Sequence, residues 1–400
     1  MHNVSKYIYF LLVSVLILLV SCDSGSTPGS NVDEEPTEPQ FKQQNGFTIR
    51  TDLSISQFAS GLEFPTSLSF APDGSNRLFV NELQSGKIWI FEDGVKRATP
   101  FADLETMVEG GFPVAGENGL LGITFDPNFE SNGYVYASFV VREDGVNIGK
   151  IVRMKDVNNQ AQDKTIILDD VPSAPGHQIE SIRFGPDEKL YVSVGDAFQE
   201  QLAQNFDELP GKLLRLNADG SIPSDNPQPD SYTYAFGIRN AFDFIFRDNG
   251  DVILTENGPS EKDEMNVIQS GANYGWPNEL GRNEGSEFNQ PIKVWQDIVA
   301  PAGMEFYTGN GLPQQYQNTL IQVLFGRTAS SGTDPRSKRL QTVTLNGAGL
   351  NTEPVFEDMV TYNSSGEGNP TDVTQGPDGN LYFTDIFRGT IYKISAAENE

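Results

Sequence analysis

At 400 residues the chain has room for two or three average domains or for one large all-β unit. Hydrophobic residues make up 37% and aromatics 10%, enough for a substantial core, while 55 Asp and Glu against 27 Lys and Arg give a net charge of -28. So acidic a surface repels nucleic acid and anionic lipid, and is compatible with neutral substrates such as sugars and with bound calcium.

Lys6 precedes the apolar run Ile8 to Val20, which is too short for a confident membrane span and fits a signal peptide over residues 1–22. Its ending, Leu19-Val20-Ser21-Cys22, resembles the lipobox of bacterial lipoproteins, which implies a lipid anchor on Cys22 at the cell envelope. Cys22 is the only cysteine, so no disulfide can form within the chain. Residues 23–46 are Ser, Gly, Pro, Glu and Gln with hardly an apolar side chain, and read as a flexible tether. The folded domain is expected over residues 47–397.

One local pattern then returns. Phe70-Ala71-Pro72-Asp73-Gly74 precedes Arg77-Leu78-Phe79-Val80, and Phe125-Asp126-Pro127 precedes Gly133-Tyr134-Val135-Tyr136. Phe184-Gly185-Pro186-Asp187, Phe246-Arg247-Asp248-Asn249-Gly250 and Gly376-Pro377-Asp378-Gly379 precede similar β-branched and aromatic runs. Each copy is a strand, a reversing turn and a second strand, often with a Gly-initiated third. The first three gaps between turns are roughly 55 to 62 residues and the last about twice that, which places a degenerate sixth copy around Gly311 to Phe325. Radial repetition of this length predicts an all-β, six-bladed β-propeller of four-stranded antiparallel blades. In such a ring, loops from successive blades share one pocket at one end of the channel.

The densest run of polar chemistry is Tyr234 to Pro277. It holds Arg239-Asn240, Glu256-Asn257-Gly258-Pro259, Asp263-Glu264 and Asn273-Tyr274-Gly275-Trp276-Pro277. Together with Gly116-Glu117-Asn118-Gly119, Gly176-His177-Gln178, Gly185-Pro186-Asp187 and Gly195-Asp196, this stretch resembles the glucose/sorbosone dehydrogenase family. Its soluble members are six-bladed propellers that use pyrroloquinoline quinone (PQQ) and calcium. The resemblance implies His177 as general base and Asp196 as the carboxylate that orients it. His2 lies in the signal segment, so His177 is the only other histidine, and imidazole titrates in the range the task needs. Glu117, Arg239, Asn240, Asn257 and Arg327 fall at or beside positions that contact the cofactor. The carbonyls of Gly258 and Pro259 match a catalytic calcium seat, and Glu264 with the Tyr274 carbonyl a second calcium, Asp263 standing by. Read from the residues alone, Gly-Pro is equally a turn and Asp263-Glu264 a solvated acidic loop.

Three departures accompany the resemblance. The family's late-blade arginines fall on Asn369 and Thr371, its lysine falls near Gly326, and Glu180 stands where the family has a Gly-rich step. Arg327, Arg336, Lys338, Arg339 and Arg388 are the cations left to compensate for a cofactor with three carboxylates. The leading reading is a lipid-anchored, PQQ- and calcium-dependent enzyme that oxidises an aldose-type sugar to its lactone and passes electrons to an unidentified acceptor. A second is a cofactor-less, calcium-stabilised propeller binding a carbohydrate or a protein partner. A third is a metal-dependent lactonase using Glu117, Glu180 and Asn240.

Overall fold

In the computed structural model, which describes residues 38–107, 112, 116–327, 337–345, 353–363 and 368–398, the recurring turn closes on itself. The carboxylates of Asp73, Asp126, Asp187 and Asp378 accept the backbone amides of Ser75, Asn128, Lys189 and Asn380 at 2.9–3.2 Å. This is the side-chain mimicry that makes Asp a turn residue. The other carboxylate oxygen then anchors the strand that follows. Asp187 Oδ2 accepts the Tyr191 hydroxyl at 3.0 Å, Asp378 Oδ2 the Tyr382 hydroxyl at 2.9 Å, and Asp73 Oδ2 a guanidinium nitrogen of Arg77 at 2.6 Å. One residue type thus turns the chain and sets the register of the hairpin.

Six antiparallel sheets result. Blade one begins at Pro65–Phe70, blade two at Leu120–Phe125, blade three at Ile179–Phe184, blade four at Ala241–Phe246, blade five at Pro301–Tyr307 and blade six at Pro370–Gln375. These first strands touch one another in sequence and the last touches the first, so they line a closed ring. The protein is a six-bladed β-propeller. Its apolar side chains are buried between neighbouring blades, as where Phe79 of blade one meets Phe125 of blade two edge to face at 5.0 Å. Helical structure among the described residues is confined to the turn Phe129–Asn132 and three short 3₁₀ segments.

Blade six is completed from the other end of the chain. Leu53–Ser60 pairs antiparallel with Thr390–Ala396 as its outermost strand. Closing the ring in this way leaves only the short outer edges of the blades. Blade five is the degenerate copy. It has no Pro-Asp turn, and the Tyr307 hydroxyl instead donates to the Gly379 carbonyl at 2.6 Å and accepts the Leu312 amide at 2.7 Å.

The start of the folded part is a correction. Phe41–Gln44, assigned to the tether, is a strand paired with Phe47–Arg50, and the hairpin extends blade five through Phe47 and Tyr362. Asn45 and Gly46, at φ of 51° and 85°, form the two-residue turn that suits a hairpin. Phe47 is fully buried, with its ring 4.8 Å from that of Tyr362 and 5.0 Å from that of Tyr392. The signal segment, Cys22 and most of the tether lie outside the described residues.

Candidate active site

Because the strands alternate in direction, the loops entering each first strand and those leaving each second strand emerge at the same end of the ring. There they enclose a cavity of about 440 Å³. Its polar wall brings together Glu117, His177, Arg239, Asn240, Asn257 and Gly258, contributed by the loops around blades two, three and four. The opposite wall is apolar, built from residues such as Phe64, Leu83, Ile298, Phe325 and Phe387.

His177 is 8% exposed and its Nδ1 lies 2.6 Å from Asp196 Oδ1. Gly195 makes this approach possible, since a Cβ there would sit 2.6 Å from the His177 carbonyl carbon. Asp196 also accepts the Phe198 amide at 3.0 Å and the Trp276 indole N–H at 2.8 Å. Burial alone would raise its carboxyl, but the hydrogen bonds from His177, Trp276 and Phe198 outweigh that and hold it below the ordinary carboxylate value. An ionised Asp196 keeps the hydrogen on Nδ1 and leaves Nε2 as the basic nitrogen of an imidazole that lines the cavity. His177, Ala197 and Phe198 have φ of 55°, 51° and 55°. For residues with side chains this region is uncommon and is concentrated at functional sites.

Arg239 stands beside this pair. Its Nη1 donates to the carbonyls of Asn257 at 2.6 Å and Gly258 at 2.9 Å, and its guanidinium lies 5.4 Å from the centre of the Trp276 ring. Burial lowers its proton affinity, with Asp196 and Glu256 opposing. The Asn240 and Asn257 side-chain oxygens are buried without a protein hydrogen bond.

The expected calcium ligands divide. Gly258, Glu264 and Tyr274 share a narrow recess behind Arg239, together with Glu256. Glu256 and Glu264 face each other across paired strands. Burial, reinforced by the facing carboxylate, pushes Glu256 up to about 8, and burial pushes Glu264 up to about 7. Pro259 is exposed and lines neither the cavity nor the recess. Asp263 is not a spare ligand, because its oxygens accept the amides of Gly258, Val299 and Ala300 at 2.8–2.9 Å. Among the described residues, no three His, Cys, Asp or Glu side chains are grouped to hold a metal ion. A cation here would therefore draw on carbonyl and amide oxygens besides the Glu256 and Glu264 carboxylates.

Three further placements differ from expectation. Arg327 is paired with Asp297 and does not line the cavity, although Gly326 does. Asn369 donates to the Phe325 carbonyl at 2.7 Å, and Thr371 bonds Thr384 at 2.7 Å, so these positions are uncharged and already engaged. Lys338 donates to the Gly368 carbonyl and Arg339 to Asp358, Arg388 lies against Asp385, and none of the three lines the cavity. Arg336 lies outside the described residues. Glu180, 2% exposed, lines the central channel rather than the mouth, where burial and the nearby Glu117 raise its carboxyl well above the ordinary value. It therefore sits on the channel wall rather than in the cavity that Glu117 and Asn240 line, while staying close enough to Glu117 for the two charges to interact. Sequence reasoning missed Trp276 as a donor to Asp196. The Gly275-Trp276-Pro277 run beside Tyr274 is the signal that could have found it.

The chain is 31% identical over 260 residues to quinoprotein glucose dehydrogenase B of Acinetobacter calcoaceticus, covering 57% of this chain and 53% of that protein. It is 28% identical to aldose sugar dehydrogenase YliI of Escherichia coli, covering 86% of this chain and 93% of that one. The PQQ-bound form of an aldose sugar dehydrogenase from Streptomyces coelicolor superposes with a TM-score of 0.69 at 26% identity, covering 86% of this chain and 98% of that one. The family profile described as Glucose / Sorbosone dehydrogenase matches residues 62–393, and the chain belongs to that family.

Proposed function

We propose that the protein oxidises an aldose-type sugar to its lactone with PQQ and calcium, at the bacterial cell envelope, held there by a lipid on Cys22. The observation that carries this reading is the 2.6 Å contact between His177 and a buried Asp196 at the wall of a cavity shared with Arg239 and Asn240. The names of the relatives, glucose and aldose sugar dehydrogenases, support the substrate class.

The wall formed by blades three and four fits such a cofactor. Arg239 has no protein acceptor for Nη2 among the described residues, and the buried oxygens of Asn240 and Asn257 suit a hard cation or a donor. Arg239, Asn240 and Asn257 would hold PQQ there, and the group would supply the acceptor for the hydride of the anomeric carbon. The chain's own task is the proton. Nε2 of His177 takes it from the anomeric hydroxyl as the carbonyl of the lactone forms, and Asp196 stabilises the imidazolium. Trp276 fixes Asp196 from behind, and the Phe198 ring, 4.3 Å from that of His177, limits the rotation of the imidazole. Electrons leave to an acceptor not yet identified.

The test is dye reduction by the full chain with calcium, PQQ and a panel of aldoses. Activity is expected, with His177→Ala abolishing it while the absorption shift on PQQ binding persists. No absorption shift and no activity would overturn the reading. The uncharged Gly326, Asn369 and Thr371 favour a second reading, a cofactor-less propeller stabilised by calcium that binds a carbohydrate or a protein. Calcium-dependent thermal stabilisation without PQQ binding is the result that supports it.

A further inference from the structure

The cavity has a second space beneath it. Thr66, Leu121 and Phe242 line both the cavity and a channel of about 100 Å³ that runs down the axis of the ring, roomy enough for several waters. The first strands run from the cavity end toward the turn end. Thr66, Leu121 and Glu180 therefore stand at the top of the channel, and Ser69, Thr124, Arg183 and Glu305, each partly exposed, stand further down.

Glu180 is the group that packing does not explain. It is 2% exposed, and its Oε1 has no hydrogen-bond partner among the described residues. The channel's cation, Arg183, is already held by Asp243 at 2.8 and 3.2 Å and by the Met304 carbonyl at 3.0 Å. A carboxyl buried in this way is more stable protonated than ionised, and burial, with Glu117 adding to it, holds Glu180 well above the ordinary value. Glu117 lines the cavity together with His177, and its Oε2 lies so close to Gly176 that a Cβ there would sit 2.9 Å away. Two interacting carboxyls thus flank the wall between cavity and channel.

We propose that Glu117 and Glu180 relay the substrate's proton out of the cavity and down the channel to the far face of the ring. The proposal rests on the sugar-oxidising reading above and adds a proton exit to it. Each turnover leaves one proton on Nε2 of His177, which must depart before the imidazole can act again. It passes by way of water to the Glu117 carboxylate and then to Oε1 of Glu180, which gives its own proton to the channel water. His177 returns to the neutral imidazole, both carboxyls return to their starting state, and bulk water gains the one proton that the anomeric hydroxyl lost. Sugar in the cavity obstructs the direct path to the mouth, whereas the channel stays clear of it. The other acids along the channel are Glu305 and Asp372, which burial pushes up to about 7, and Asp243, which is engaged with Arg183.

The test follows dye reduction, and proton release in weak buffer with a pH indicator, by the full chain loaded with calcium and PQQ. Glu180→Gln keeps the shape without the titrating group. It is expected to slow turnover about tenfold or more at saturating aldose with KM unchanged, and a small proton carrier such as imidazole should restore most of the rate. Wild type should not respond to imidazole. Glu117→Gln interrupts the same path from the cavity side, so the double variant should be no slower than the slower single one; it also carries the test should Glu180→Gln fail to fold. Infrared difference spectra of cofactor-free wild type against Glu180→Gln should show a protonated carboxyl at neutral pH that the variant lacks. Unchanged turnover in both variants, a loss that imidazole does not restore, or no carboxyl band overturns the proposal. If wild type oxidises aldoses while these results fail, only the relay falls. If wild type oxidises no aldose, the sugar-oxidising reading fails and the relay falls with it.

Discussion

Asp196 decides which nitrogen of His177 is basic. Replacing it with Asn offers an amide that can donate to Nδ1 and shift the hydrogen to Nε2, where it blocks proton removal. Asp196→Asn is expected to lower kcat by about 10²–10⁴-fold, the usual share of a positioned base, with far less effect on KM. The same residue links stability to pH. Its folded-state value lies below the unfolded one, so its contribution is complete above about pH 4 and is lost as pH falls through the folded value. Acid denaturation should therefore show wild type more stable than Asp196→Asn at neutral pH, with the gap closing below about pH 4. The contact between His177 and Asp196 was legible because each sits in a short Gly-flanked motif. The Trp276 contact was not, because it joins residues 80 positions apart in sequence. Arg327 was misplaced for a related reason: its partner, Asp297, lies in a different loop, and no pattern links the two.

The loop from Asp196 to Gly211 is the element that holds the site in shape. Lys212, fully buried, donates to the carbonyls of Leu202, Ala203 and Pro210 at 2.8, 3.1 and 2.6 Å, using all three ammonium hydrogens on one loop. Lys212→Met leaves those carbonyls unpaired and is expected to cost about 2–4 kcal/mol, the relief of burying a charge offsetting part of the loss. Urea unfolding would measure it, and faster proteolysis between residues 197 and 210 would locate it. Four blades were readable because one Asp both turns the chain and receives the next strand, and blade four because its Asp-Asn-Gly turn is closed by Asn249, which accepts the Asp251 amide at 3.1 Å. Blade five was not, since Tyr307 takes over that role with a hydroxyl and leaves no Pro-Asp mark. The Asn45-Gly46 hairpin was readable in principle, but the polar sequence around it resembles the tether it follows.

For the whole molecule, the joint between Leu53–Ser60 and Thr390–Ala396 keeps the ring shut. A chain beginning at Gln40 should unfold at the same urea midpoint as the full chain. A chain beginning at Gly61 loses that outer strand and the Phe47 contacts, exposes the edge of blade six, and is expected to aggregate in light scattering. Loss of Phe47 alone, as Phe47→Ala, should cost about 3–5 kcal/mol.

That joint also brings the two ends of the propeller within bonding reach. The amide of Ala397 donates to the carbonyl of Asp52 at 2.8 Å. A short linker between them would turn the fold into a covalent circle that could be cut elsewhere, for instance at the exposed Asp248-Asn249-Gly250 turn between the first two strands of blade four, at the end of the ring away from the cavity. Such a rewired protein would begin and end on a different blade, so the point on the ring from which an appended segment leaves becomes a matter of where the chain is opened.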